Sequence, residues 1–493
     1  MKYQFFFGLL FVSIALVGVA APGKAPNPAA TASGQSGTAL IEVYPTGSYP
    51  GDLQSVQAAL DNVASPGTVV MKSTDQSGKH LAFNFGGDPA KTGTGGVIKL
   101  LRPDITLTGD GWDETLKEPK TKITGGGGPY TFSPTLSGTA MVFAINAPGV
   151  TMRQLKLTTT SALTGVYISS AKWQPNDHPV VVERNDFSVV NNSVLAYYSA
   201  AFPVKIDNNL FKGYGGAAGW WLGFTLQPIE AYPYDVPIEP KDSLGNIVRY
   251  PLEITNNRMI TTPGVFAQAM LIYGWANNYS TDPDPDKGFR RYRPNANYPW
   301  TYQFVHGDNG PVLISGNDIQ MDSPPSTGAE AICLGGTNVG LNHSLVRGNT
   351  ISGRCGTTIA VALYGHDNVL VDNDLSEAQA YCHASITMAD TTFSNNVLGK
   401  LIPLPSGSEM PLGIPQPALE LHSTHYYPDR TPTPNAVEYC VIMKNDYRLT
   451  GCKKGAILVS SNKELSWRKT MLTCGVSPMG GLSFHPIQPI SVS

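Results

Sequence analysis

The chain has 493 residues, with 34 basic and 37 acidic side chains, a formal net charge of −3 and only 14% charged residues. A charge so sparse and balanced excludes the basic footprint that nucleic-acid binding requires. With 51 Gly, 39 Pro and few long helix-period segments, the composition favours many short strands joined by turns.

In chain order, residues 1–20 read as a signal peptide. Lys2 supplies a charged start, an apolar run extends from Phe5 to Val19, and the small residues Gly18 and Ala20 sit where a signal peptidase cuts. That run is short for a membrane span. The mature protein is therefore expected to be secreted, extracellular or periplasmic, with no membrane insertion after signal removal. Residues 21–45 are expected to form a flexible leader, rich in Pro, Ala, Gly, Ser and Thr at first and without hydrophobic periodicity. Leu53, Val56, Leu60 and Val63 then recur near helical spacing, which predicts a short amphipathic helix broken by Ser65-Pro66-Gly67. Thr68-Val69-Val70-Met71 follows as a strand.

Beyond it a loose pattern recurs: two or three β-formers, a small or polar residue, Asn, one more residue, then an aliphatic or aromatic one. It centres on Asn185 (VVVERNDF), Asn209 (VKIDNNLF), Asn257 (LEITNNRM), Asn317 (VLISGNDI), Asn349 (SLVRGNTI), Asn373 (VLVDNDL), Asn395 (TTFSNNVL) and Asn445 (VIMKNDY). The interval is 24 residues from 185 to 209 and from 349 to 373, and 22 from 373 to 395. Longer intervals hold inserted loops or a skipped coil. Repetition of this kind marks a solenoid.

The predicted fold is all-β, a right-handed parallel β-helix over residues 46–465. The short N-terminal helix caps its open end, long loops are inserted between coils, and residues 466–493 form a C-terminal tail or cap. Asn suits the corner of a coil because it tolerates left-handed backbone, and stacked Asn amides can bond to one another along the rod. Asn209, Asn317, Asn349, Asn373 and Asn395 are therefore expected in one column.

The run LQSVQAALDNVASPGTVVM, with ITLTGDG at 105–111, resembles the opening coils of the pectin-lyase-like β-helix superfamily. The Asn-centred segments are similar to its parallel β-helix repeats, and the resemblance covers roughly residues 50–465. It implies a parallel β-helix and a polysaccharide or glycan partner, since members are pectate and pectin lyases, polygalacturonases, and lyases or epimerases of alginate and related polymers. The chemistry of those enzymes has left no matching marks here. The chain contains no Asp-Asp pair, no Gly-His-Gly and no Trp-x-x-Asp-His segment, although glycosidic hydrolysis needs two carboxyl groups across the scissile bond.

Other constellations remain. His306 and Asp308, His366 and Asp367, and Asp390 fall near the corners of successive coils, and a His beside carboxylates can do acid/base work near neutral pH. Two expected insertions, 213–250 and 273–302, carry Trp220, Trp221, Trp275, Tyr292 and Trp300 with Arg290, Arg291 and Arg293. Aromatic faces suit sugar rings, and clustered Arg suits carboxylates or sulfates. Asp282, Asp284 and Asp286 alternate in DPDPDKG, a pattern able to wrap a calcium ion, although the prolines and the missing closing Glu favour a solvated acidic turn.

The six cysteines cluster late in the chain, and in an exported protein they are expected to be disulfide-bonded. Cys355 with Cys382 is the first pairing expected, the rest of the connectivity staying open. The function expected is a secreted β-helix protein that binds polysaccharide and, as a lyase or glycoside hydrolase of unassigned type, would cleave it. The alternative is a non-catalytic cell-surface or matrix protein that binds glycans or builds a layer.

Overall fold

The computed structural model describes residues 39–88, 91, 93–130, 139–159, 164–169, 178–189, 192–198, 203–212, 229–232, 250, 252–261, 264, 269–272, 312–323, 330–334, 344–361, 368–386, 391–403, 416–422, 441–452, 457–460 and 471–473. The chain winds as a right-handed parallel β-helix. Successive coils lay strands in three long sheets, of which thirteen, ten and twelve strands are described in the first, second and third, all parallel except Gly128–Tyr130, which pairs antiparallel at the side of the third.

Alternation along each strand sets the inside and the outside. In Val180–Glu183, Val204–Asp207, Leu252–Thr255 and Val312–Ser315 the first and third residues are buried and the second and fourth half-buried, the period of two that a one-sided sheet imposes. Strict register turns this into columns. Leu107, Met152, Val182, Ile206, Ile254, Ile314, Val346, Leu370 and Phe393 follow one another up the interior of the first sheet. Phe187 and Phe211 stack inside the second, their centroids 5.5 Å apart and their planes 13° from parallel.

The N-terminal cap forms as expected. The helix Gly51–Asn62 turns Val56 and Leu60 into the core, and Asp52 in its first turn accepts from the amides of Thr46 (2.7 Å) and Asn84 (2.8 Å). Arg102 closes the other end, its Nη1 donating to the carbonyls of Leu60, Asp61 and Val63 at 3.2, 2.9 and 2.7 Å. The rod reaches past both boundaries read from composition. Leu40–Val43, inside the expected leader, pairs with Gly67–Met71, and Met471–Thr473, inside the expected tail, pairs with Val441–Met443.

The Asn column is real, with one residue displaced. Asn185, Asn209, Asn257, Asn317, Asn349, Asn373, Asn396 and Asn445 form the ladder. Asn396, not Asn395, holds the seventh rung. From Asn185 to Asn396 each Nδ2 donates to the Oδ1 of the next coil at 2.9–3.1 Å and also to a strand carbonyl, as Asn317 does to Ile254 O. The same Oδ1 accepts the previous rung's backbone N–H, so the buried amides are satisfied. The left-handed backbone belongs to the residue just before each rung: Arg184, Asn208, Asn256, Gly316, Gly348, Asp372, Asn395 and Lys444, all with φ between 54° and 67°. In SNNV one Asn turns the corner and the other joins the ladder, which is why Asn395 leaves the column.

The expected Cys355–Cys382 disulfide is not formed. Cys333, Cys355, Cys382 and Cys452 are in no disulfide, and Cys440 and Cys474 lie outside the described residues. Cys355 sits at a corner with its side chain in the core. Cys382 pairs across the ladder with Thr357 instead, and its Sγ faces the carbonyl of Ala384 at 3.0 Å. Among the described residues no helix is long and apolar enough to cross a membrane.

Candidate functional site

The residues singled out from sequence lie outside the described residues: His306, Asp308, His366, Asp367 and Asp390; Trp220, Trp221, Trp275, Arg290, Arg291, Tyr292, Arg293 and Trp300; and Asp282, Asp284 and Asp286. Among the described residues no group of three or more His, Cys, Asp or Glu side chains could hold a metal ion.

A different constellation stands on the outer face of the second sheet. From Asn185 to Asn396 the residue after each Asn rung begins a second-sheet strand, one place before a core-facing residue such as Phe187, Phe211 or Met259. Register aligns these positions as Lys156, Asp186, Leu210, Arg258, Asp318, Thr350 and Asp374, with Lys122 one coil earlier. Lys212 stands two residues along the strand that follows Asp186. From the side, the hairpin formed by Trp112–Asp113 and Glu118–Pro119 brings in one aromatic ring and one carboxylate.

The side chains meet as a network. Glu118 binds Lys122 at 3.2 Å and Lys156 more closely still. Asp186 lies between Lys156 at 3.7 Å and Lys212 at 3.1 Å. Its carboxylate is wholly enclosed, and neither oxygen has a partner in hydrogen-bonding geometry. Burial pushes the Glu118 carboxyl up, but the bonds and charges of Lys156 and Lys122 outweigh it and leave the group below the usual range. Arg184 turns the corner beside this network with φ 54°, and its guanidinium carbon lies 6.0 Å from the centre of the Trp112 ring. Four cationic groups (Lys122, Lys156, Lys212, Arg184) thus accompany two carboxylates and a tryptophan on one flank of the rod. That arrangement can stack a ring and attract an anionic group.

Two other groups are sealed away from solvent. His383 is fully buried, in register with Thr358 and hydrogen-bonded through its backbone N–H to Ala418, and its two ring nitrogens lack a partner in full hydrogen-bonding geometry. Burial drops its pKa to about 4, a fall that the neighbouring backbone of Gly399 and Lys400 opposes only in part. The ring is therefore neutral at physiological pH and cannot exchange protons with a bound polymer. Burial likewise pushes the Cys355 thiol up to about 12 and that of Cys333 well above its ordinary value, with the charge of Glu330 adding to both. These thiols are not nucleophiles.

The sequence did hold a signal for the second-sheet column: Asn-Asp recurs at 185–186, 317–318, 373–374 and 445–446. Its charge partners were not readable, because Lys156 and Lys212 carry no motif of their own and reach Asp186 only through register.

Solved structures similar to the chain include the A-module of mannuronan C-5 epimerase AlgE4 from Azotobacter vinelandii. It is 12% identical, with a TM-score of 0.43, over 91% of this chain and 98% of that one. The AlgE6 A-module from the same organism is 12% identical, with a TM-score of 0.32, over 90% and 97%. The Dettilon tailspike protein is 12% identical, with a TM-score of 0.41, over 90% of this chain and 68% of that one. No family model and no curated protein sequence matches the chain.

Proposed function

We propose that the protein is a secreted β-helix of the pectin-lyase-like type that binds polysaccharide along the flank of its rod. The observation that carries this reading is the Trp112 ring beside Arg184 and the Lys122 and Lys156 ammonium groups. A flat ring supports stacking on a pyranose face, and the excess of cations supports attraction of an acidic chain. The aromatic and Arg-rich segments 213–250 and 273–302 support the same reading from sequence. Cleavage, as a lyase or glycoside hydrolase, is the finer proposal, with His306, Asp308, His366, Asp367 and Asp390 as its acid/base candidates.

The test is a panel of neutral and uronic-acid polysaccharides, measured for affinity and for new reducing ends or unsaturated products. Trp112→Ala is expected to weaken binding by on the order of 1 kcal/mol, about fivefold, with the fold intact. Lys122→Ala should matter mainly for acidic glycans and more at low salt. Folded variants that bind as the wild type does would sink this assignment. Binding without turnover across the panel would identify a surface or matrix protein, a reading favoured by the missing lyase and hydrolase motifs.

A further inference from the structure

We propose that Asp186 and Lys212 join in an intramolecular amide bond that staples two adjacent coils of the rod. This goes beyond glycan binding and does not depend on it. Three observations point to the linkage. The Asp186 side chain is wholly enclosed, and neither carboxylate oxygen is held in hydrogen-bonding geometry. An ionised carboxylate in such a place is costly, whereas a neutral amide removes both charges. The Lys212 nitrogen lies 3.1 Å from Oδ2, and among the described residues Asp186 is its one ion-pair partner. A second ammonium, Lys156, stands 3.7 Å from the same oxygen and is held there by Glu118.

The step balances without any co-reactant. The Lys212 side chain is 41% exposed, so solvent is the acceptor for the proton its ammonium gives up in this step. The free amine attacks Cγ of Asp186 to form a C–N bond, the attacking nitrogen passes one proton to the departing oxygen, and a C–O bond breaks. Lys156 gives a proton to the departing oxygen and regains one from solvent. One ammonium and one carboxylate become one amide and one water. Condensation is unfavourable between free molecules in water, but groups fixed in contact react at effective concentrations of about 10⁵–10⁸ M. Glu118 is a positioning residue here, acting through Lys156.

The measurement is the intact mass of the full chain, followed by peptide mapping. The expected result is a protein lighter by one water than its processed sequence, with a branched peptide joining residues 186 and 212. Lys212→Arg and Asp186→Ala should each restore the full mass, and Lys156→Met should leave the linkage incomplete in freshly made protein, which a merely structural role would not do. A wild-type protein of full mass that yields linear peptides at both positions overturns the proposal, whether or not the variants fold. A branched peptide joined through Lys156 overturns the assignment to Lys212.

Discussion

Replacing Asn317 removes more than the hydrogen bonds its own amide donates. Its Oδ1 accepts both the backbone N–H and the Nδ2 of Asn257, each at 3.0 Å. In Asn317→Ala those two buried donors lose their acceptor. Asn185, the first rung, accepts only from the Leu155 amide at 3.1 Å, so Asn185→Ala strands one donor. With each orphaned group costing about 1–3 kcal/mol, Asn317→Ala is expected to lower unfolding free energy by ~2–6 kcal/mol, and Asn185→Ala by roughly half as much. Denaturant titration of both variants checks this, and equal losses would contradict the directional ladder. At this scale the sequence was half legible. Asn at the corner was readable, but its two roles were merged, because the repeat does not distinguish the residue that turns the chain from the residue that joins the column.

The elements were legible where alternation is strict. VVVE, VKID and LEIT declare one buried face, and the structure makes each a first-sheet strand. EAICL and TTIAV do not, and Glu330–Leu334 and Thr357–Val361 are buried at every position in the third sheet, so inside and outside cannot be told from pattern alone. The capping helix was read from four apolar residues, but its stability depends on a residue outside it. No basic side chain stands in its last turn, and Arg102, from the coil below, serves the terminal carbonyls instead. Arg102→Ala is expected to cost about 1–3 kcal/mol and to raise hydrogen exchange in Gly51–Asn62 first. Unchanged exchange in that helix would show that apolar packing alone holds the cap.

Stability of the rod against acid follows from a group buried far from either end of the chain. His383 has a folded pKa of about 4 against 6.5 for the free side chain. Between those values the unfolded chain takes up a proton that the folded chain refuses. Its contribution is complete above about pH 6.5, declines as pH falls toward 4 and is level below that, a loss of ~3 kcal/mol in all. Glu118 and Asp446, both held below the usual carboxylate range by lysine and arginine partners, add losses at lower pH as they take up protons in the folded state. Thermal midpoints measured from pH 7 to 4.5 should therefore fall more steeply for the wild type than for His383→Leu. Parallel curves would place the acid response elsewhere. None of this was legible beforehand, because His383 lies in a run, YCHASI, that reads as an ordinary strand.

The Asn ladder also gives the rod a polarity. Every side-chain amide points the same way, with its oxygen toward the N-terminal coils and its nitrogen toward the C-terminal ones. Amide dipoles so aligned polarise one another and add along the axis. The two ends therefore make different demands. The N-terminal end offers an acceptor that any backbone N–H can fill, and Leu155 fills it. The C-terminal end, at Asn445, offers donors that only an oxygen can satisfy. Evolution can thus begin such a ladder at almost any residue, but each coil added beyond Asn445 must bring its own acceptor.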